Sequence, residues 1–296
     1  ADEAQRERSR IAALWLDELN DPSSALIVVE DIVSNSGGNI EIFMPQDVPM
    51  SASASFAPPP PAIDVTTLLE RILAAAPKTA DIRESLPPPA EGRRDSYLPV
   101  PPKRGLVRQR AAALLKERYT QSSDDANLAR VLEVELEVVR SSKERIRRHS
   151  QLASLYVSLG NDDQALEHYA SLVLLEPDDA GHRQELRNVA SRISRFDRYA
   201  EVLVSAADDS HDDPLKVELL MSAGEVTAKN IGDIERAIEL FFRILAITPI
   251  ADASLLEACR HVEPLLAQAD RRSDRLDVLE RLAILEQEAD VKWHVL

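Results

Sequence analysis

Leu19-Asn20-Asp21-x-x-x-Ala25-Leu26, Leu159-Gly160-Asn161-x-x-x-Ala165-Leu166 and Ile231-Gly232-Asp233-x-x-x-Ala237-Ile238 are one pattern written three times. In the second copy Gly160 turns the chain and the small Ala165 lets the second helix approach the first closely; in the third Asp233, following Gly232, can cap the next helix. Four residues after the alanine stands a larger apolar residue (Val29, Tyr169, Phe241), and eight after it Val33, Val173 or Leu245. In the last two copies a proline follows at Pro177 and Pro249, and Leu73 with Pro77 repeats that ending. Ala165 to Ala237 spans 72 residues, two units of 36, and Ala25 to Ala165 spans 140, four units of 35. A degenerate copy, Arg195-Phe196-Asp197-Arg198-Tyr199-Ala200, lies between the second and third. Self-similarity at such a period is the mark of a helical repeat array.

Composition agrees with helices. Of the 296 residues 29% are charged, only 4% are aromatic and eight are glycine. Ala, Leu, Glu and Arg favour helices, and the aromatic residues that strands prefer are scarce. The net charge of −16 is uneven: Lys and Arg against Asp and Glu give −8 over 1–102, +5 over 103–150 and −13 over 151–296. Phosphates are repelled by such a chain unless a basic face is concentrated. The island Lys143-Glu144-Arg145-Ile146-Arg147-Arg148 is the one candidate for such a face, and as a solvated helix start it has a simpler reading. Cys259 stands alone, so no disulfide can form within the chain. No apolar run reaches the ~18 residues of a membrane span, and no leader-like segment opens the chain. The compartment stays open.

Thirteen of the eighteen prolines fall between Pro45 and Pro102. They divide the chain into an N-terminal helix pair (1–34), a Pro/Ser-rich linker (35–62), a short amphipathic helix (63–76), a second Pro-rich linker (77–104) and a repeat array (105–296). Asp64 can cap the short helix, which carries Leu68, Leu69, Ile72 and Leu73. Helices are expected at 105–120, 124–140, 143–159, 162–175, 179–194, 197–207, 214–230, 233–247, 251–268 and 273–288. Asp213 before Pro214 and Asp233 after Gly232 read as caps. Residues 290–296, with Trp293, read as the opening of a further helix, so the array is expected to continue beyond 296.

In residues 146–179, Leu152-Ala153, Tyr156, Gly160, Ala165, Tyr169, Leu172 and Pro177 carry a layout that resembles the tetratricopeptide repeat family. The likeness is to the divergent repeats of large bacterial scaffold proteins. It implies an all-α, right-handed superhelical solenoid of antiparallel helix pairs, with adjacent repeats of the parent chain as packing partners. The 214–249 unit departs from it, with Glu225 and Ala228 read opposite Ala153 and Tyr156. Compact co-chaperone members hold a peptide carboxylate with Lys and Asn, and the matching positions here carry Arg147, Ser150 and Ser154. The resemblance therefore implies a concave partner-binding face with Arg147, Ser150, Ser154, Val157 and Ser158 on it, and no carboxylate clamp.

Catalytic constellations are thin. Cys259 and His261 lie two apart and project from different faces of a helix, while Cys259 shares its face with Leu255, Val262 and Leu266. Asp208-Asp-Ser-His211-Asp-Asp213 lacks the alternating ligands and central glycine of a calcium loop. His149, His168, His182 and His294 have no i,i+4 partner among themselves. Pro99-Val-Pro-Pro102-Lys103-Arg104 has the form of an SH3 ligand, and Arg93-Arg94-Asp95-Ser96 that of a basophilic kinase site. No catalytic residue, metal ligand, cofactor or small-molecule substrate is expected. The expected function is a non-catalytic scaffold for a peptide or partner protein. The alternative is a regulatory or accessory segment of a larger protein, with nucleic-acid binding ranked below both.

Overall fold

The computed structural model describes residues 2–34, 64–76, 104–248 and 251–295, with side chains placed for 5–34, 64–76, 106–248 and 251–286. The described residues are all-α, and within each unit most helices pair as hairpins. The linker motifs read at 93–96 and 99–104 lie outside them except for Arg104, which begins a helix, and the side chain of Trp293 lies outside them too. The chain divides into two compact units, Ala1–Ser141 and Ser142–Leu296.

The first unit holds α1 (Asp2–Asp17), α2 (Pro22–Ser34), α3 (Val65–Ala75), α4 (Arg104–Ser122) and α5 (Asp125–Leu136). The division falls at 141/142 instead of the 104/105 read from the prolines, and the reason is α3. Leu68, Leu69 and Ile72 are fully buried in one core with Ala25, Leu26 and Val29 of α2 and Ala111 and Leu115 of α4. Asp64 caps α3 as expected, accepting from Thr66 N at 3.0 Å. Arg108 donates to the Leu73 carbonyl at 3.0 Å, tying α4 to the end of α3. Glu70 of α3 accepts from Tyr119 of α4 and Arg130 of α5. Burial pushes the Glu70 carboxyl up, but those hydrogen bonds outweigh it and hold it below its usual value. Burial, and then the same carboxylate, push the Tyr119 hydroxyl up to about 12.

The second unit holds α6 (Ser142–Ser158), α7 (Asp162–Leu175), α8 (Ala180–Arg192), α9 (Phe196–Asp209), α10 (Asp213–Val226), α11 (Ile234–Leu245), α12 (Asp252–Gln268) and α13 (Arg272–Val295). Its core runs from Ala165 and Leu166 through Leu203, Leu220 and Phe241 to Val262 and Val278. Three exposed inter-repeat ion pairs step along alternate helices: Glu167 with Arg198 (2.7 Å), Asp208 with Arg243, and Glu235 with Arg271 (3.5 Å). Each contributes at most about 1 kcal/mol.

One device punctuates both units. Asn20, Ser123, Gly160, Ser194, Gly232 and Asp270 all take positive φ, between 48° and 81°. Each sits just past the first helix of a hairpin, and the next residue's N–H returns to a carbonyl near the helix end. Asn161 donates to Tyr156 O at 2.8 Å, Arg195 to Ala190 O at 2.8 Å and Arg271 to Leu266 O at 3.0 Å. This left-handed closure satisfies carbonyls that the helix end would otherwise leave open.

Two expectations are corrected. The N-cap of α10 is Asp212, which makes no side-chain cap bond, because Asp213 and Pro214 are already inside the first turn. Residues 290–295 do not open a new helix; they continue α13 without a break, since no glycine or proline interrupts 272–295. By contrast Asp233 caps α11 as read, accepting from Arg236 N at 3.1 Å.

The departure noted at Glu225 and Ala228 also dissolves. A π-turn, Thr227–Ile231, inserts one residue between α10 and Gly232. Counting from the closures, Tyr156 O receives Asn161 N, and Thr227 O receives Asp233 N. Tyr156 therefore matches Thr227, and the buried set His149, Leu152, Ala153 matches Leu220, Ala223, Gly224. The small residue is Gly224, not Glu225. A Cβ there would stand 2.8 Å from Phe241 Cζ, so α10 and α11 meet too closely for alanine. The Thr227 hydroxyl, fully buried, bonds the Ala223 carbonyl at 2.7 Å and seats the turn.

Candidate functional site

The first two turns of α6 are rich in basic residues. Lys143, Arg145 and Arg147 are exposed and have no acidic partner among the described residues, whereas Arg148 reaches back to Glu144 at 3.1 Å. Cations at a helix N-terminus oppose its dipole and raise the energy of the helix slightly. Arg147, Ser150, Ser154, Val157 and Ser158 are all exposed, and their spacing along α6 keeps them to one side of it. Two of the hydroxyls are engaged with the helix itself. Ser154 donates to Ser150 O at 3.0 Å, and Ser158 to Leu155 O at 2.7 Å. That leaves their oxygens as acceptors and Arg147 as a free donor fork.

Behind that face lies a contact the sequence reading did not foresee. His149 Nδ1 and His168 Nδ1, from α6 and α7, are 3.1 Å apart, and the Tyr156 ring lies parallel to His168 at 5.4 Å between centroids. Nineteen residues separate the two histidines, so i,i+4 spacing could not reveal the pair. The register match to the buried Leu220 and Leu240 could have done so.

Glu176, Asp179 and His182 also gather at the turn between α7 and α8, with ligand atoms within 4.8 Å of one another. Asp179 caps α8, accepting from Gly181 N (2.7 Å) and His182 N (3.1 Å), and the bond from the His182 amide is the largest of the effects that hold its carboxyl low. His182 Nδ1 lies 3.7 Å from both carboxylates. The set has the donor types of a divalent-cation site, formed at a helix N-terminus whose dipole disfavours a cation.

The remaining sequence candidates separate. Cys259 is fully buried, and burial pushes its thiol up, away from the thiolate that reactivity requires. His261 stacks on Phe241 at 5.5 Å and faces Glu225 at 3.4 Å. In the 208–213 cluster Asp208 is held by Arg243, and Asp212 sits at the α10 N-cap. No helix among the described residues is long and apolar enough to cross a membrane.

The Tetratricopeptide repeat family model matches residues 149–183, the segment in which this geometry is built. Among curated proteins none matches. Two groups of solved structures are similar at low identity. One is a Podosopora anserina chain described as kinesin light chain with nearly identical TPR-like repeats: 18% identity, 62% of this chain, 96% of that chain, TM-score 0.36. The other is MamA: 15% identity, 60% of this chain, 96% of that chain, TM-score 0.34.

Proposed function

From the tetratricopeptide repeat at 149–183, we propose that the chain is a protein-binding scaffold and that a peptide or partner protein docks along the exposed face of α6. Arg147, Ser150, Ser154, Val157 and Ser158 are its contact residues. The observation that carries this is the set of uncompensated cations, Lys143, Arg145 and Arg147, in a unit where Arg183, Arg192, Arg198, Arg243 and Arg271 are each paired with a carboxylate. An acidic stretch of a partner would neutralise charges that the helix dipole disfavours, and the serine oxygens and the Val157 methyls would meet the rest of an extended segment. Nucleic acid is a poorer occupant, because a chain of net charge −16 repels phosphates outside these two turns.

The test is site-specific photocrosslinking at Ser154, combined with affinity measurement on the captured partner. Arg147→Glu is expected to weaken binding at least tenfold, about 1.4 kcal/mol, and to flatten its salt dependence. Arg272→Glu, at an arginine 87% exposed and outside this face, leaves binding unchanged. A partner held equally well by Arg147→Glu, or one that crosslinks only elsewhere, defeats the assignment. The accessory-segment alternative uses the same face and differs only in what the scaffold is tethered to.

A further inference from the structure

His149 occupies a core position. It is 7% exposed, and the matching residue of the α10–α11 hairpin is Leu220; His168 likewise matches Leu240. Two histidines therefore stand where the sister hairpin has two leucines. Their Nδ1 atoms are 3.1 Å apart. A neutral imidazole carries one N–H and one lone pair, so at this distance one Nδ1 donates and the other accepts. A first added proton can go to the far nitrogen of the donor ring and leave the shared hydrogen in place. A second must go to the accepting Nδ1. That sets two N–H groups head to head and two positive charges side by side.

We propose that His149 and His168 form an acid-sensitive latch between α6 and α7, closed while at least one imidazole is neutral and released when both are protonated. The charged groups named around the pair are largely engaged with one another. On α6, Arg145 adds a positive charge, and Arg148 is paired with Glu144. On α7, Glu167 beside His168 accepts from Nε and Nη2 of Arg198 from α9, at 3.0 and 2.7 Å. On α8, packed against the other side of α7, Arg192 is taken by Asp162 at 2.6 Å. The Tyr156 ring against His168 supplies a flat apolar wall.

Burial, then His168 and Arg145, hold the His149 imidazole down at about 4, against 6.5 when exposed. The released chain thus binds more protons than the latched one between pH 6.5 and 4. The latch contributes fully above pH 6.5 and is lost progressively as pH falls toward 4. One proton taken up on opening corresponds to a tenfold rise in the opening constant per pH unit.

Amide hydrogen exchange of the full chain, corrected for intrinsic rates, reads this directly. Opening of 149–175 is expected to rise about tenfold per pH unit from 6.5 to 4.5. The double variant His149→Leu/His168→Leu, which installs the sister hairpin's residues, removes that slope. A wild-type slope of zero, or an unchanged slope in the double variant, overturns the latch. Should the variant not fold, ¹⁵N imidazole spectra of the wild-type protein decide. At pH 7.5 they are expected to show one Nδ1–H coupled to the opposite Nδ1, and two uncoupled rings there would equally overturn it.

Discussion

The hairpins α6–α7 and α10–α11 share an anchor alanine (Ala165, Ala237), a left-handed glycine (Gly160 at φ 70°, Gly232 at 81°) and a matched set of buried positions on the first helix. They differ in one residue of length and in what fills the interior. The first keeps α6 free of a π-turn and buries Ala153 and His149 with Tyr156 half-buried beside them. The second bulges through Thr227–Ile231 and lets Phe241 lie on bare backbone at Gly224. What is common to the two is therefore the position of the turn relative to the buried face, and length before the turn is negotiable.

Deleting one residue should separate them most. Removing Lys229, exposed in the π-turn, lets α10 run into Gly232 as ordinary α-helix and is expected to change stability by less than about 1 kcal/mol. Removing Val157 from α6 rotates the Ala153 face by about 100° relative to Gly160, and a loss of about 3 kcal/mol or more is expected. Denaturant unfolding of both deletions decides, and equal losses would mean that the π-turn is itself required.

Gly224 gives the next effect. Gly224→Ala sets a methyl group against the Phe241 ring and should cost about 1–3 kcal/mol. Adding Phe241→Leu should return part of that loss, a non-additivity that a double-mutant cycle measures. Ala153 already fills the same place in α6, so Ala153→Gly should also destabilise, by about 1 kcal/mol from helix propensity. Strictly additive energies at Gly224 and Phe241 would dismiss the close approach.

The smallest test asks whether the two turns are equivalent. A Cβ at Gly160 or Gly232 meets nothing within 4 Å, so alanine there exposes only the backbone cost of positive φ, about 1–2 kcal/mol. Gly160→Ala and Gly232→Ala should lose the same amount in thermal unfolding. A marked difference would show that the bulge loads its own closure.

Much of this was legible in the residues. The alanine–turn pattern located the hairpins, and Asp64 and Asp233 cap where short-range chemistry put them, because capping depends on neighbours two or three residues away. What was not legible is non-local. The prolines at 45–61 and 77–102 made α3 look isolated, yet Leu68, Leu69 and Ile72 belong to the core of the first unit; partners across a long connection leave no local trace. The π-turn was hidden for a related reason. A one-residue insertion in a single copy looks like two substitutions, Glu225 and Ala228, until the closure bonds fix the register. The candidate face on α6 was readable as a surface from spacing alone, whereas the histidine pair behind it needed two helices laid side by side.

The left-handed closures act as a phase reset. From Gly160 to Ser194 is 34 residues, and from Ser194 to Gly232 and Gly232 to Asp270 are 38 each. A rigid helical rod of changing length would lose angular register with its neighbour after the first irregular copy. Here every hairpin starts its second helix from a fixed backbone conformation, so an error in length upstream is not passed downstream. The array can gain or lose residues in evolution one copy at a time, much as a clock corrected at each hour tolerates an uneven minute.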